Sequence, residues 1–214
     1  MRALMSFEPG GPETLRLVDT PKPIPGTAQV QVEVKACGVN YPDFLTIQDR
    51  YQVKTPRPFA PGAEVAGIVS SIGRGTSDFR VGQRVAARIG TGGMAEFVVA
   101  DVSRCSVIPE GMSFADAAVM QFTFETAYYA LSNRAQLKAG ETVLVLGAGG
   151  GLGIASVGGA QSRRARHCGG VFPGEGRLCL PARGQRWPRI SLYGARRSPR
   201  GGRANEGLGR PARC

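Results

Sequence analysis

Along residues 28–40 the sequence AQVQVEVKACGVN sets Val30, Val32 and Val34 against Gln31, Glu33 and Lys35. A period of two sends successive side chains to opposite faces of an extended chain, so this stretch predicts a half-buried strand. The habit recurs in EVAGIVSSIG (64–73), GQRVAARI (82–89) and GMAEFVVAD (93–101), with PIPGTA, TSDFRVGQ and IGTGG as turns between such runs. Short strands broken by Gly, Pro and Asp predict a small barrel or sandwich over residues 1–115.

The period then changes. SFADAAVMQFTFETAYYALSN (113–133) reads as helix, with Ser113 as N-cap before Phe114 and Asp116 completing a Ser-x-x-Asp capping pattern. LKAGETVLVLGAGGGLG (137–153) follows, a buried strand over Thr142–Leu146 that runs into a glycine-rich turn and the start of a helix.

Charge divides the 214 residues at a different place. Met1–Val157 holds 14 Lys or Arg and 14 Asp or Glu, whereas Gly158–Cys214 holds 13 arginines against Glu175 and Glu206, and so carries the whole net charge of +11. The same 57 residues contain 12 of the 31 glycines, the single His167 and the single Trp187. Low apolar content with high charge predicts disorder there. The N-terminus MRALMSFEPGG has no signal-peptide core, and no apolar run approaches the roughly 18 residues of a membrane span. Cys37, Cys105, Cys168, Cys179 and Cys214 are odd in number and lack CxxC spacing. That argues against a disulfide framework or structural zinc, and for a reducing, cytoplasmic setting.

KACGVNYPDFLTIQDRYQ, PGAEVAGIVSSIG, VGQRVAA, GGMAEFVV, TAYYAL and AGETVLVLGAGGGLG occur in that order. Together they resemble the medium-chain dehydrogenase/reductase superfamily and, within it, the zinc-independent quinone oxidoreductases, over about residues 1–157. The resemblance implies a mainly β GroES-like domain (1–115), then a connecting helix and the opening of a Rossmann domain (116–157), with the active site in the cleft between the two domains. It implies NADPH as cofactor and a small quinone or enone as substrate. The family's homodimer is not carried over to this chain, and neither membrane nor nucleic acid is an expected partner. Enoyl and crotonyl-CoA-type reductases share the motifs, so the substrate stays open, as does NADPH against NADH.

The zinc-binding alcohol dehydrogenases of the superfamily carry Cys and His ligands at positions matching Asn40 and Ala63 here. Neither an amide nor a methyl replaces thiolate or imidazole as a tight zinc ligand, and Cys37 with Glu64 does not make a site, so no metal is expected. Reduction without metal relies on hydride transfer, with polar side chains orienting the acceptor. The resemblance nominates Asn40 beside nicotinamide and substrate, and Tyr51 bordering the cofactor cleft; these are the candidate catalytic residues. It nominates Thr126 as a cofactor contact. From the residues alone, Asn40 could equally cap a turn, Tyr51 be a loop aromatic, and Thr126 bond its own helix.

LVLGAGGGLG fits no register of G-x-G-x-x-G but does fit A-x-G-G-x-G, with Ala148, Gly150, Gly151 and Gly153 in place and Leu152 between the last two. Absent side chains let backbone N–H groups at a helix start approach a pyrophosphate, which the helix dipole also favours. Glu125 departs from the glycine usual before the threonine, and a carboxylate facing inward there would repel phosphate.

After GIASV the family continues as an amphipathic helix and a Val-Ile-Ala-Ala-like strand; this chain reads GGAQSRRARHCGGVF. Arg166–Gly170 can be encoded by bases that, read one position later, spell Val-Ile-Ala-Ala. Gly158–Cys214 is therefore read as a frameshift product. The other reading is a genuine basic tail binding nucleic acid through arginines interleaved with Phe172, Trp187 and Tyr193. On the first reading the chain supplies one Rossmann strand and a turn or two of helix, leaves Val143–Leu146 largely uncovered, and is inactive as it stands.

Overall fold

The computed structural model describes residues 1–162 and, as backbone alone, 166–170. The chain divides into two compact units, the first spanning Met1–Phe122 and the second beginning at Thr123.

The first unit is mainly β. β1 (Arg2–Met5) and β2 (Arg16–Asp19) form a hairpin; β3 (Gln29–Gly38), β4 (Glu64–Ile72), β5 (Arg84–Arg88), β6 (Phe97–Asp101) and β7 (Cys105–Val107) form an antiparallel sheet in the order β6-β3-β4-β5-β7. Bridges Ala3–Ala95 and Ser6–Phe59 tie the hairpin to neighbouring loops. The register of β3 on β4 slips between Gln31 and Val32 and again between Val34 and Ala36, and such bulges sharpen strand twist. Val30, Val32, Val65, Val69 and Val85 fill the principal core and are all but inaccessible. Each contributes about 1.5–3 kcal/mol by leaving water.

Two departures from the pattern are local. Gln31, on the polar face of the expected half-buried strand, is buried: its Nε2 donates to the Pro23 carbonyl and its Oε1 accepts from Ser70 Oγ at 2.6 Å. The second face of β3 is therefore covered at Gln31, though Lys35 on the same face stays exposed, and alternation cannot report where that cover begins. A helix not expected, α1 (Tyr41–Ile47), interrupts the strands. At seven residues it is too short to show a period of 3.6.

The expected capping pattern is present, with Asp116 N donating to Ser113 Oγ at 3.0 Å to start α2 (Phe114–Ala118). The helix predicted over 113–133 is not one run. π-turns at Met120–Phe124 and Tyr129–Arg134 flank α3 (Glu125–Tyr128), and Ala135 N donates five residues back to Ala130 O at 2.8 Å. Such wide turns widen the backbone ladder without changing the apolar composition that predicts helix.

In the second unit β8 (Thr142–Leu146) stands where the sequence puts it, and α4 (Gly151–Ser162) follows the glycine turn. β9 (Arg166–Gly170) then pairs parallel to β8, from Thr142 with Arg166 to Leu146 with Gly170. This corrects the expectation of one strand, a short helix start and loss of order at Gly158. The helix runs about three turns, and the chain completes a βαβ crossover. A parallel ladder needs backbone donors and acceptors, which Arg, His, Cys and Gly supply as well as Val or Ile. The expectation for 171–214 lies outside the described residues.

β8 is covered on one face only. Val143 and Val145 are buried with Leu131, Leu137, Ala148 and Ala160, whereas Leu144 and Leu146 are 37% and 63% exposed. The expectation of a largely uncovered strand is thus corrected for half of its side chains.

Candidate functional site

Asn40 lies between β3 and α1, as the N-cap of that helix in extended conformation. Two buried carboxylates hold it. Its backbone N–H donates to Asp43 Oδ2 at 2.8 Å, the return arm of a capping box, and its side-chain Nδ2 donates to Glu64 Oε1 at 2.8 Å. The remaining oxygens are engaged too: Asp43 Oδ1 accepts from Gly62 N at 3.2 Å, and Glu64 Oε2 accepts from Phe122 N at 2.9 Å. Glu64 is 1% and Asp43 6% exposed.

Burial pushes the carboxyl groups of both Glu64 and Asp43 above their ordinary values; hydrogen bonds from Asn40, Phe122 and Gly62 pull the other way. Glu64 accepts from a donor at each oxygen, the arrangement of an ionised carboxylate. Burial, with Asp43 and Glu64 nearby, pushes the Cys37 thiol up to about 12, so it is a neutral packing group at physiological pH. The carboxylate approaches so closely because position 38 has no side chain. A Cβ on Gly38 would stand 2.6 Å from Glu64 Oε1 and 2.5 Å from the Ala118 carbonyl oxygen.

Asn40 therefore does cap a helix, and its carboxamide is additionally held by Glu64. Tyr51 stands half-buried just beyond α1, and the hydrogen bonds of Asn40 go to Asp43 and Glu64, not to it. Tyr41 and Phe44, one turn apart on α1, stack with ring centroids 6.3 Å apart; Tyr41 is largely exposed and Phe44 partly so. The motifs alone do not single out Glu64 or Asp43 as partners of Asn40. Their signals are nonetheless in the chain: an Asn-x-x-Asp capping spacing at 40–43, and a lone acid opening the apolar run EVAGIV.

Thr126 belongs to the second unit, exposed on α3 next to the exposed Glu125. The glycine turn that joins β8 to α4 is shaped by two different needs. Gly147 has φ +69°, and a Cβ on Gly153 would stand 2.1 Å from the Gly147 carbonyl oxygen, so the fold itself requires glycine at these positions. At Gly149 nothing lies within 4 Å of a Cβ, and at Gly150 only the Gly147 oxygen does, at 3.6 Å. Packing gives no reason for their bareness, which leaves room for a ligand against the backbone. The bond from Ile154 N to Gly150 O, at 2.8 Å, spans the start of α4, leaving the amides of Gly151, Leu152 and Gly153 ahead of the helical ladder. Those amides and the helix dipole suit an anion such as a pyrophosphate, which the turn at Ala148, Gly150, Gly151, Leu152 and Gly153 could receive.

Among the described residues no group of three or more His, Cys, Asp and Glu comes together to hold a metal ion. No described helix is long and apolar enough to cross a membrane.

Residues 26–110 match the alcohol dehydrogenase GroES-like domain. The chain is 41% identical over 158 residues to human quinone oxidoreductase, an alignment covering 73% of this chain and 48% of that protein. Among solved structures it resembles a probable oxidoreductase from Mycobacterium abscessus, with a TM-score of 0.75 and 40% identity over 79% of this chain and 54% of that one. It also resembles the quinone oxidoreductase of Thermus thermophilus, solved with and without NADPH, with a TM-score of 0.71 and 37% identity over 81% of this chain and 54% of that one. The chain spans about half the length of the curated relatives it matches.

Proposed function

For a chain that belongs to the medium-chain dehydrogenase/reductase superfamily, on its quinone oxidoreductase-like branch, we propose NADPH-dependent, zinc-independent reduction of a small quinone or enone, with Asn40 facing the acceptor. The observation that carries this reading is the glycine turn, where Gly149 and Gly150 are bare without a packing reason at the head of a 12-residue helix. Ala148, Gly150, Gly151, Leu152 and Gly153 hold the pyrophosphate, and Thr126 is a further cofactor contact on the strength of the family resemblance. NADPH supplies the hydride when bound. The acceptor takes up that hydride and a proton from solvent, so a quinone leaves as hydroquinone. Donor chemistry supports the metal-free assignment: Asn40 offers only a neutral carboxamide oxygen in place of a thiolate or imidazole, and Ala63 offers no ligand atom.

The described part of the second unit offers one βαβ crossover, whereas a dinucleotide-binding sheet uses several strands. We expect the 214-residue chain to hold NADPH no tighter than millimolar, a binding free energy of about −4 kcal/mol, and not to turn over a quinone. NADPH fluorescence titration, with NADPH oxidation by a naphthoquinone, tests this beside the same chain with the reading frame shifted after Val157. Binding and turnover in the shifted-frame protein alone support the proposal. No binding in either sinks the cofactor assignment, and micromolar binding with turnover by the unshifted chain sinks the expected inactivity. The second reading, nucleic-acid binding by the arginine-rich segment, concerns residues outside those described; salt-dependent binding of RNA to the unshifted chain would favour it.

A further inference from the structure

We propose that Glu64 is a positioning residue for Asn40, setting which end of its carboxamide faces the acceptor; this rests on the quinone-reductase reading above. A carboxamide has a donor end and an acceptor end of nearly the same shape, so its orientation is decided by its neighbours. Here the neighbour is an ionised carboxylate, which only accepts. Glu64 cannot turn to relieve the demand, because its second oxygen is held by the Phe122 amide at 2.9 Å and its side chain is 1% exposed. The Asn40 main chain is independently fixed by Asp43 at 2.8 Å. With both ends of the residue gripped, Nδ2 must face Glu64 at 2.8 Å.

One Nδ2 hydrogen is thereby spent on Glu64, and the second is the donor offered to a carbonyl oxygen. A quinone carries only acceptors at its reacting positions and gains negative charge on oxygen as hydride arrives, so a fixed donor there is the useful polarity. The carboxylate also polarises the amide it holds, which strengthens the remaining N–H as a donor. Glu64 touches neither acceptor nor cofactor in this arrangement and acts through Asn40.

The substitution Glu64→Gln separates position from packing. The new carboxamide keeps the Phe122 bond through its oxygen and so turns an N–H toward Asn40, which must flip to present Oδ1. The swapped pair Asn40→Asp with Glu64→Gln restores a hydrogen bond of opposite sense, the amide at position 64 donating to the carboxylate at position 40, and leaves oxygen where the donor stood. Both variants keep paired buried groups, so both should melt within a few degrees of the wild type. Both should bind naphthoquinone about tenfold or more weakly, followed by NMR on the full chain at millimolar quinone. In the ligand-free wild type the Asn40 side-chain amide should exchange slowly with solvent, and Glu64→Gln should abolish that protection.

Loss of protection and of quinone affinity in variants that melt normally supports the proposal. Unchanged affinity in either folded variant overturns it, as does an Asn40 amide whose exchange is indifferent to Glu64. Should Glu64→Gln alone fail to fold, the affinity of the swapped pair decides between these outcomes. A wild-type chain that shows no response to naphthoquinone, with Glu64-dependent protection intact, sinks the quinone-site reading first and leaves Glu64 a packing residue only.

Discussion

The two units solve the same problem, covering a strand, to different degrees. In the first, the layers around β3 and β4 are deep enough that Gln31, Asp43 and Glu64 are buried with every one of their carboxyl or amide groups partnered, although Lys35 farther along β3 stays exposed. In the second, β8 buries Val143 and Val145 but leaves Leu144 and Leu146 in contact with solvent. Precise side-chain chemistry needs the first kind of cover. A side chain can be held to one orientation by buried charge only where surrounding layers exclude water, and that condition is met around Asn40. The glycine turn works by another rule, presenting backbone amides that need no side-chain shell at all.

The largest effect that would test the contrast is steric. Gly67→Ala in the first unit sets a Cβ 2.1 Å from the Glu33 carbonyl oxygen, and Gly153→Ala in the second sets one 2.1 Å from the Gly147 oxygen. Each should cost about 3 kcal/mol or more, because backbone must move on both sides. Hydrogen exchange should show the first loosening β3 and β4, and the second loosening β8 and α4 while protection in the β3–β4 pair survives. Collapse of both units from either substitution would mean that they are not separately stable.

Next come the cores. Leu131→Ala removes the largest fully buried side chain among the described residues of the second unit and should cost about 2–4 kcal/mol in urea unfolding. Leu146→Ser, on the bare face of β8, should change stability by less than about 0.5 kcal/mol and raise solubility. If the two cost alike, the outer face of β8 is covered in solution.

The buried acids give a smaller, pH-dependent effect. Asp43 and Glu64 have carboxyl groups raised above their ordinary values of 3.8 and 4.5, so the folded state holds these protons more tightly than the unfolded chain does. Their contribution is fully present below those ordinary values and is lost as pH rises through the raised folded values. The urea midpoint of the first unit should therefore fall over that range, and Glu64→Gln should flatten the fall. A midpoint rising through the same range in the wild type but not in the variant would mean that hydrogen bonding to the ionised form outweighs burial.

Smallest is thiol reactivity. Burial pushes Cys37 to about 12 and Cys105 to about 11, so at about pH 8 both should alkylate far more slowly than an ordinary cysteine near ~8.5. Peptide mass mapping after iodoacetamide treatment checks it, and rapid labelling of Cys37 would show that the buried acids beside it are open to solvent.

Much of this molecule was determined by the sequence alone. Period-two runs fixed β3, β4 and β5, the Ser113–Asp116 cap fixed the start of α2, and TVLVL bounded by a glycine turn fixed β8 to the residue, since these depend on interactions within a few positions. Asn40 was legible as a candidate through its motif. What held it was not: Glu64 lies 24 residues away, and only the fold brings its carboxylate to the Asn40 amide, through a gap that Gly38 leaves open. The burial of Gln31, the π-turns around α3 and the pairing of β9 with β8 were likewise decided by tertiary structure. Each depends on what covers or adjoins a segment, and backbone hydrogen bonding at β9 proceeded where side-chain pattern gave no sign of a strand. Local periodicity reports which face a residue prefers; only the assembled layers decide whether the other face is wet.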